Sequence, residues 1–341
     1  MPNSPAASIT RRTFGAFGLA TGAILAGCGA SQGAPAPLFP MRRGVNLGNA
    51  LEAPAEGEWG YRVELAHLAA IRDAGFDGVR LPVRWDPHMA GAAPYSIDPA
   101  FLARVDGIVR AALDLGLTVQ LDAHHFEPLI ADPDGQSPRF RALWRQIGAH
   151  FADAPPGLIF EPLNEPNGEA WSGARVSDIQ AIALEEIRAR NPTRLVVLGG
   201  PNWNSIDGLR DWRPPEDPHI TVTVHYYEPH AFTHQDAEWL GADAPRFGRD
   251  WGTPTDHAAV RDHIAQAARW AQARGLAWQL GEFGVNASLP MTHRAAWTRA
   301  VREATEAAGA GWCAWDFAGA FPIYDRARER FIPELIEALL G

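Results

Sequence analysis

From about Arg42 to the end of the chain, short apolar runs alternate eight times with longer stretches of helical periodicity. A strand that hands over to a helix before the next strand begins is the pattern of a parallel sheet covered by helices. Eight such units predict one (β/α)8 TIM barrel over residues 41–341, a single α/β domain with no internal linker. The strands are expected near Gly44–Leu47, Gly78–Leu81, Thr118–Asp122, Leu158–Leu163, Arg194–Leu198, Ile220–His225, Ala277–Gly281 and Gly311–Trp315. Helices are expected at Arg62–Ala74, Ala100–Leu115, Pro138–Phe151, Val176–Ala189, Asp256–Arg274, Thr292–Ala308 and Glu334–Leu340. Gly75, Gly116, Gly275 and Gly309 each follow a helical stretch, where a left-handed cap is wanted. A doubly wound open sheet is the alternative, but Gly44-Val45-Asn46-Leu47-Gly48-Asn49 lacks the glycine spacing of a phosphate loop.

In a barrel of this kind, chemistry sits where strands end. The stretch LIFEPLNEPNG (Leu158–Gly168) begins apolar and stops in a polar turn at Asn164-Glu165. A second stretch, WQLGEFG (Trp278–Gly284), stops at Glu282. Two carboxylates on separate strand ends suggest an acid/base pair for cleaving a glycosidic bond. Alternation along strands sharpens this. Gln120, Asp122 and His124 share one face of the third strand, with His125 on the other, expected to pack outward. Thr221, Thr223, His225 and Tyr227 share a face of the sixth, and Tyr226 has the wrong parity for a cleft. Glu282 shares parity with Trp278 and Leu280, a face expected to point inward. Polar side chains gathered at inward strand ends are costly as packing and natural as an active-site mouth.

The first 28 residues read as an address rather than as fold. Thr10-Arg11-Arg12-Thr13-Phe14 resembles a twin-arginine export signal, followed by a weakly apolar run from Phe14 to Leu25. Leu25-Ala26-Gly27-Cys28 resembles a lipoprotein processing box, in which Cys28 would carry the lipid. Residues 29–40, rich in Pro, Ala and Gly, are expected to be a tether. The protein is therefore expected to be exported to the periplasm or cell surface and held on a membrane by a lipid. Cys313 then has no partner for an intramolecular disulfide and is expected to be packed.

The net charge of −10 offers no basic face for nucleic acid. All 30 positive side chains are arginine, which excludes enzymes that form a Schiff base on lysine. The His124-His125 pair invites a metal, but adjacent strand residues diverge, so no metal site is expected.

Seven motifs, in order, resemble glycoside hydrolase family 5, the cellulase family of clan A, over nearly all of residues 41–341. They are GVNLGNALEAP (Gly44–Pro54), GFDGVRLPVRW (Gly75–Trp85), LDAHHFE (Leu121–Glu127), FEPLNEPNG (Phe160–Gly168), VHYYEPHAFTHQ (Val224–Gln235), LGEFG (Leu280–Gly284) and WDF (Trp315–Phe317). The resemblance implies a retaining enzyme in which Glu165 is the general acid/base and Glu282 the nucleophile. Arg80 would keep Glu282 ionised, and Tyr227 would hydrogen-bond it. Asn164 would meet the sugar 2-hydroxyl, His124 would stand at the third strand end, His225 beside Glu165, and Trp315 beneath the sugar. Trp59, Trp203, Trp239 and Trp251 lie in loops where outer sugars would bind, and Ala50–Tyr61 and Glu228–Thr255 would shape the cleft.

The expected function is endo-acting hydrolysis of a β-1,4-glucan, without metal or organic cofactor, by a monomer whose partners are a β-glycan polysaccharide or oligosaccharide and, through Cys28, a membrane. The same machinery could act on mannan, xyloglucan or β-1,3-glucan. A non-catalytic glycan-binding surface lipoprotein and a metal-dependent barrel hydrolase are the rivals of a different class.

Overall fold

A computed structural model describes residues 39–244 and 249–341. Its eight parallel strands close in chain order: β1 (Arg43–Asn46), β2 (Gly78–Val83), β3 (Thr118–Ala123), β4 (Leu158–Glu161), β5 (Val196–Gly199), β6 (Ile220–His225), β7 (Ala277–Glu282) and β8 (Gly311–Ala314), with β8 pairing back to β1. This is the TIM barrel that the alternation predicts. The leader, Cys28 and most of the tether lie outside the described residues.

Several of the long helices start where a side chain satisfies a free N–H group. Asp98 accepts from the Phe101 amide ahead of helix Pro99–Asp114, and Ser172 from the Arg175 amide ahead of Gly173–Arg188. Thr253 and Asp256 form a reciprocal capping box for Pro254–Gln272. Gly75, Gly116, Gly275 and Gly309 have φ of 104°, 80°, 66° and 81°, the left-handed caps expected of them. One helix starts earlier than its sequence suggests. Pro138 reads as a first residue, yet Pro133–His150 runs through it. Asp132 caps the true start, and Ser137 Oγ donates at 3.0 Å to the Asp134 carbonyl that proline cannot serve.

The connection after β5 departs from the repeat. It carries two short turns, Pro201–Asn204 and Asp207–Asp211, in place of a long helix. Pro214, Pro215 and Pro218 leave too few N–H groups for one. Trp212 fills the gap, stacking on Trp270 of helix Pro254–Gln272 at 5.7 Å.

The barrel interior is layered. Its floor is apolar: Phe39, Met41, Ile159, Val197 and Cys313 are buried together. Phe39 therefore belongs to the core rather than the tether, and Cys313 packs against Met41. Above the floor lies a polar layer. Gln279 donates to Gln120 at 2.8 Å, Gln120 to Glu161 at 2.6 Å, and Arg80 to Glu161 at 2.6 and 2.9 Å. Above this layer His225 and Glu282 end β6 and β7, and Asn164 and Glu165 follow the end of β4.

Strand β7 corrects the parity reading. Gln279 faces inward, so Trp278 and Leu280 belong to the outer apolar layer, and regular alternation would send Glu282 with them. The pairing with β6 jumps from Val224–Leu280 to His225–Glu282, leaving Gly281 as the extra residue of a bulge. Both Gly281 and Glu282 then face the interior. The bulge requires glycine, because a Cβ at 281 would lie 2.3 Å from Thr223 Oγ1.

Candidate active site

Arg80, on β2, is fully buried at the centre of the site. Its Nη1 donates to Glu282 Oε1 at 2.7 Å and to Asn46 Oδ1 at 3.0 Å. Its Nη2 donates to Asn164 Oδ1 at 2.8 Å and lies 2.9 Å from Asp122 Oδ2, while Glu161 holds the rest of the fork. A buried guanidinium needs this many acceptors to offset its desolvation. Asn46 completes the brace by donating to the Gly281 carbonyl at 3.0 Å, so one amide links the β7 bulge to Arg80.

Glu165 and Glu282 come together at the mouth. With His225 they place one donor atom each within 4.8 Å of one another. His225 Nδ1 lies 2.6 Å from Glu165 Oε1 and 3.5 Å from Glu282 Oε2. Tyr227 Oη donates to Glu282 Oε2 at 2.8 Å. Glu165 itself has φ of 42°, a left-handed backbone that a non-glycine residue adopts at some cost, as functional turns often do.

Burial pushes both carboxyls up to about 7. Two carboxyls this close cannot both ionise freely, so near neutral pH they share a proton. The surroundings decide where it resides. Glu282 accepts charge-assisted bonds from Arg80 and a bond from Tyr227, whose phenol is kept protonated by burial and by Glu282 itself. Glu165 has only His225, a ring that burial lowers to about 4 and so keeps neutral. The proton therefore sits on Glu165, and Glu282 is the anion. That arrangement can deliver a proton to one side of a bond while a carboxylate approaches from the other.

The remaining predicted residues gather around the pair. His124 Nδ1 lies 2.5 Å from Asp122 Oδ2, and its ring stacks on Trp315 at 5.6 Å. Asn164 Nδ2 is 3.4 Å from His124 Nε2. Tyr226 turns away, stacking on Trp297 at 6.1 Å. His125 does not join the outer layer; half-buried, it meets the Trp59 ring edge-on at 6.0 Å. Trp59, Trp203 and Trp239 are 44%, 56% and 54% exposed, whereas Trp251 is buried against Phe232 and His257 and cannot line a cleft. The loop Ala50–Tyr61 carries Trp59; residues 245–248 of the longer loop lie outside the described residues.

Asn46, Asp122, Glu161 and the glutamine pair carry no assigned role in the sequence reading. One signal was available for Glu161: an acid inside the apolar strand LIFEP must meet a buried cation, and Arg80 is the arginine within β2. Among the described residues, Glu165, His225 and Glu282 are the one cluster with metal-ligand spacing. Arg80 already neutralises Glu282, which opposes a second cation there.

The family model described as Cellulase (glycosyl hydrolase family 5) matches residues 42–320. Endoglucanase H of Acetivibrio thermocellus is 35% identical over 308 residues, 88% of this chain but 33% of its own length. The chain thus spans about a third of that curated relative. A solved endoglucanase superposes with a TM-score of 0.86 at 39% identity, covering 88% of this chain and 97% of its own. Thermotoga maritima Cel5A, solved with cellobiose and with mannotriose, gives a TM-score of 0.85 at 36% and 35% identity, covering 88% of this chain and 97% of its own.

Proposed function

The chain belongs to the cellulase family, glycosyl hydrolase family 5, and on that premise we propose that it is a retaining endo-β-1,4-glucanase. The observation that carries the reading is the pair Glu165 and Glu282, close enough to act on one bond and unequally hydrogen-bonded, Glu282 to Arg80 and Tyr227 and Glu165 to His225. Retaining enzymes hold their carboxyls about 5 to 5.5 Å apart, and inverting enzymes roughly 6.5 to 9.5 Å.

Glu282 attacks the anomeric carbon while Glu165 protonates the departing glycosidic oxygen, leaving a glycosyl ester on Glu282. Esterification removes the negative charge beside Glu165, which then takes a proton from water as that water attacks the anomeric carbon and the bond from that carbon to the Glu282 carboxylate breaks. The water releases the sugar and Glu165 regains its proton. Arg80 and Tyr227 hold Glu282 aimed. Asn164, braced by Arg80, offers its amide to the sugar 2-hydroxyl, and Trp315 supports the ring.

The substrate is assigned from the relatives, whose names are endoglucanases. The Cel5A complex with mannotriose favours β-1,4-mannan as a second substrate. Reducing-sugar release from β-1,4-glucan, mannan, xyloglucan and β-1,3-glucan tests both. The highest kcat/KM is expected on soluble β-1,4-glucan, with mannan next. Binding without turnover on any of the four would mean a glycan-binding protein, and loss of turnover in chelator a metal-dependent hydrolase.

Export and lipid anchoring through Cys28 rest on Thr10–Phe14 and Leu25–Cys28. Incorporation of labelled palmitate by the wild type but not by Cys28→Ala is expected; equal labelling would overturn the anchor.

A further inference from the structure

The turn after β5 holds three successive residues in the left-handed region, Asn202, Trp203 and Asn204, with φ of 57°, 57° and 54°. Its backbone touches the turn that carries Glu165, where the Trp203 amide donates to the Pro166 carbonyl at 3.4 Å. The conformation brings the Asn204 side chain, fully buried, into the space in front of Gly199. A Cβ on that glycine would lie 2.0 Å from Asn204 Oδ1, so the end of β5 is left bare for this amide. Asn204 Nδ2 lies 3.4 Å from His225 Nε2, on the far side of the ring from Glu165.

We propose that Asn204 is a positioning residue that sets the tautomer of His225 and, through it, the oxygen of Glu165 that carries the acid proton. The inference rests on the acid role proposed for Glu165. His225 is neutral, so its ring carries one proton on one of two nitrogens. An amide N–H donated to Nε2 leaves that proton on Nδ1. Nδ1–H then donates to Glu165 Oε1, which acts as the accepting oxygen. The acid proton is left on Oε2, free to face the leaving group. The charged groups around the ring are Glu165 and Glu161 of the β4 side, Glu282 of β7 and Arg80 of β2. Among the described residues, the hydrogen-bonding partner of Nε2 is Asn204.

The test compares kcat/KM for the wild type, Asn204→Asp and Asn204→Gly on a β-1,4-gluco-oligosaccharide and on dinitrophenyl β-cellobioside, whose leaving group departs without acid help. Aspartate and glycine both tolerate the left-handed backbone. Aspartate at 204 accepts a hydrogen bond rather than donating one. It draws the ring proton to Nε2, and Nδ1 then pulls the Glu165 proton onto Oε1. General acid catalysis contributes roughly 10²- to 10⁴-fold. Asn204→Asp should therefore lose on the order of 10²-fold on the oligosaccharide, with the aryl substrate within about twofold of wild type. Asn204→Gly should show a smaller loss with the same selectivity. Parallel losses on both substrates, or wild-type activity of Asn204→Asp on the oligosaccharide, would overturn the proposal. A wild type inactive on both substrates would instead overturn the glycanase reading, and this inference with it.

Discussion

Glu282→Gln is expected to lower kcat on soluble β-1,4-glucan by on the order of 10⁴-fold or more, the scale seen when a covalent nucleophile is removed. The amide is nearly isosteric and can still accept from Arg80 or Tyr227, so the change is chemical rather than structural. An amide oxygen is too weak a nucleophile to form the glycosyl ester. The paired substitution separates the two carboxyls. Glu165→Ala should also slow hydrolysis of the natural glycan, by about 10²- to 10⁴-fold, because the leaving oxygen loses its proton donor. On an activated aryl glycoside its first step should be spared, and added azide should restore the second by attacking the anomeric carbon without a base and releasing the Glu282 carboxylate. If Glu165→Ala hydrolysed the natural glycan like the wild type, the acid assignment would be wrong. If Glu282→Gln retained substantial turnover, the nucleophile lies elsewhere.

Arg80→Leu is expected to have the largest effect on stability. The guanidinium is fully buried and faces three carboxyl groups, Asp122, Glu161 and Glu282, at 2.9, 2.6 and 2.7 Å. Removing one partner of a buried ionic network leaves uncompensated charge and typically costs about 3 to 5 kcal/mol. The pH dependence has a defined sign. Burial already raises Asp122 to about 7 and raises Glu161, with Arg80 opposing both shifts. Without Arg80 these groups rise further in the folded state, while in the unfolded chain they ionise near pH 4. A raised folded pKa means that stability is lost as pH climbs from the unfolded value toward the folded one. The deficit should therefore be smaller at pH 5 than at pH 8. Urea unfolding of both proteins at the two pH values measures it, and an equal, small deficit at both would contradict the network described here.

The barrel was legible because its two periodicities differ. Strands such as Ile220–His225 and helices such as Pro99–Asp114 carry patterns that tertiary context leaves intact. The site was legible where a side chain sits at a strand end with regular alternation, as His225 and Tyr227 do. The reason for a placement was not legible where the backbone breaks its own rule: Glu282 was placed at the mouth as a strand-end acid, but on a parity that the bulge overturns. Glu282 faces inward only through the bulge at Gly281, and a single-residue bulge leaves little trace in an apolar run ending in glycine. Asn204 reaches His225 through a left-handed turn whose residues read as an ordinary loop. Trp251 looked like a cleft residue because it lies in a loop, yet Phe232 and His257 cover it. The Arg80 network was half visible: the sequence offers the cation and Glu282, but only the fold shows that Glu161 and Asp122 share it.

The most direct test is the configuration of the first product. Proton NMR of the wild type acting on a β-1,4-gluco-oligosaccharide resolves the α and β anomers of the new reducing end before mutarotation mixes them. One carboxyl oxygen of Glu165 lies within 4.8 Å of one of Glu282, the short spacing of a retaining pair rather than the longer one of an inverting pair, so the β anomer should appear first. An α anomer appearing first would mean inversion and would contradict the double displacement on Glu282.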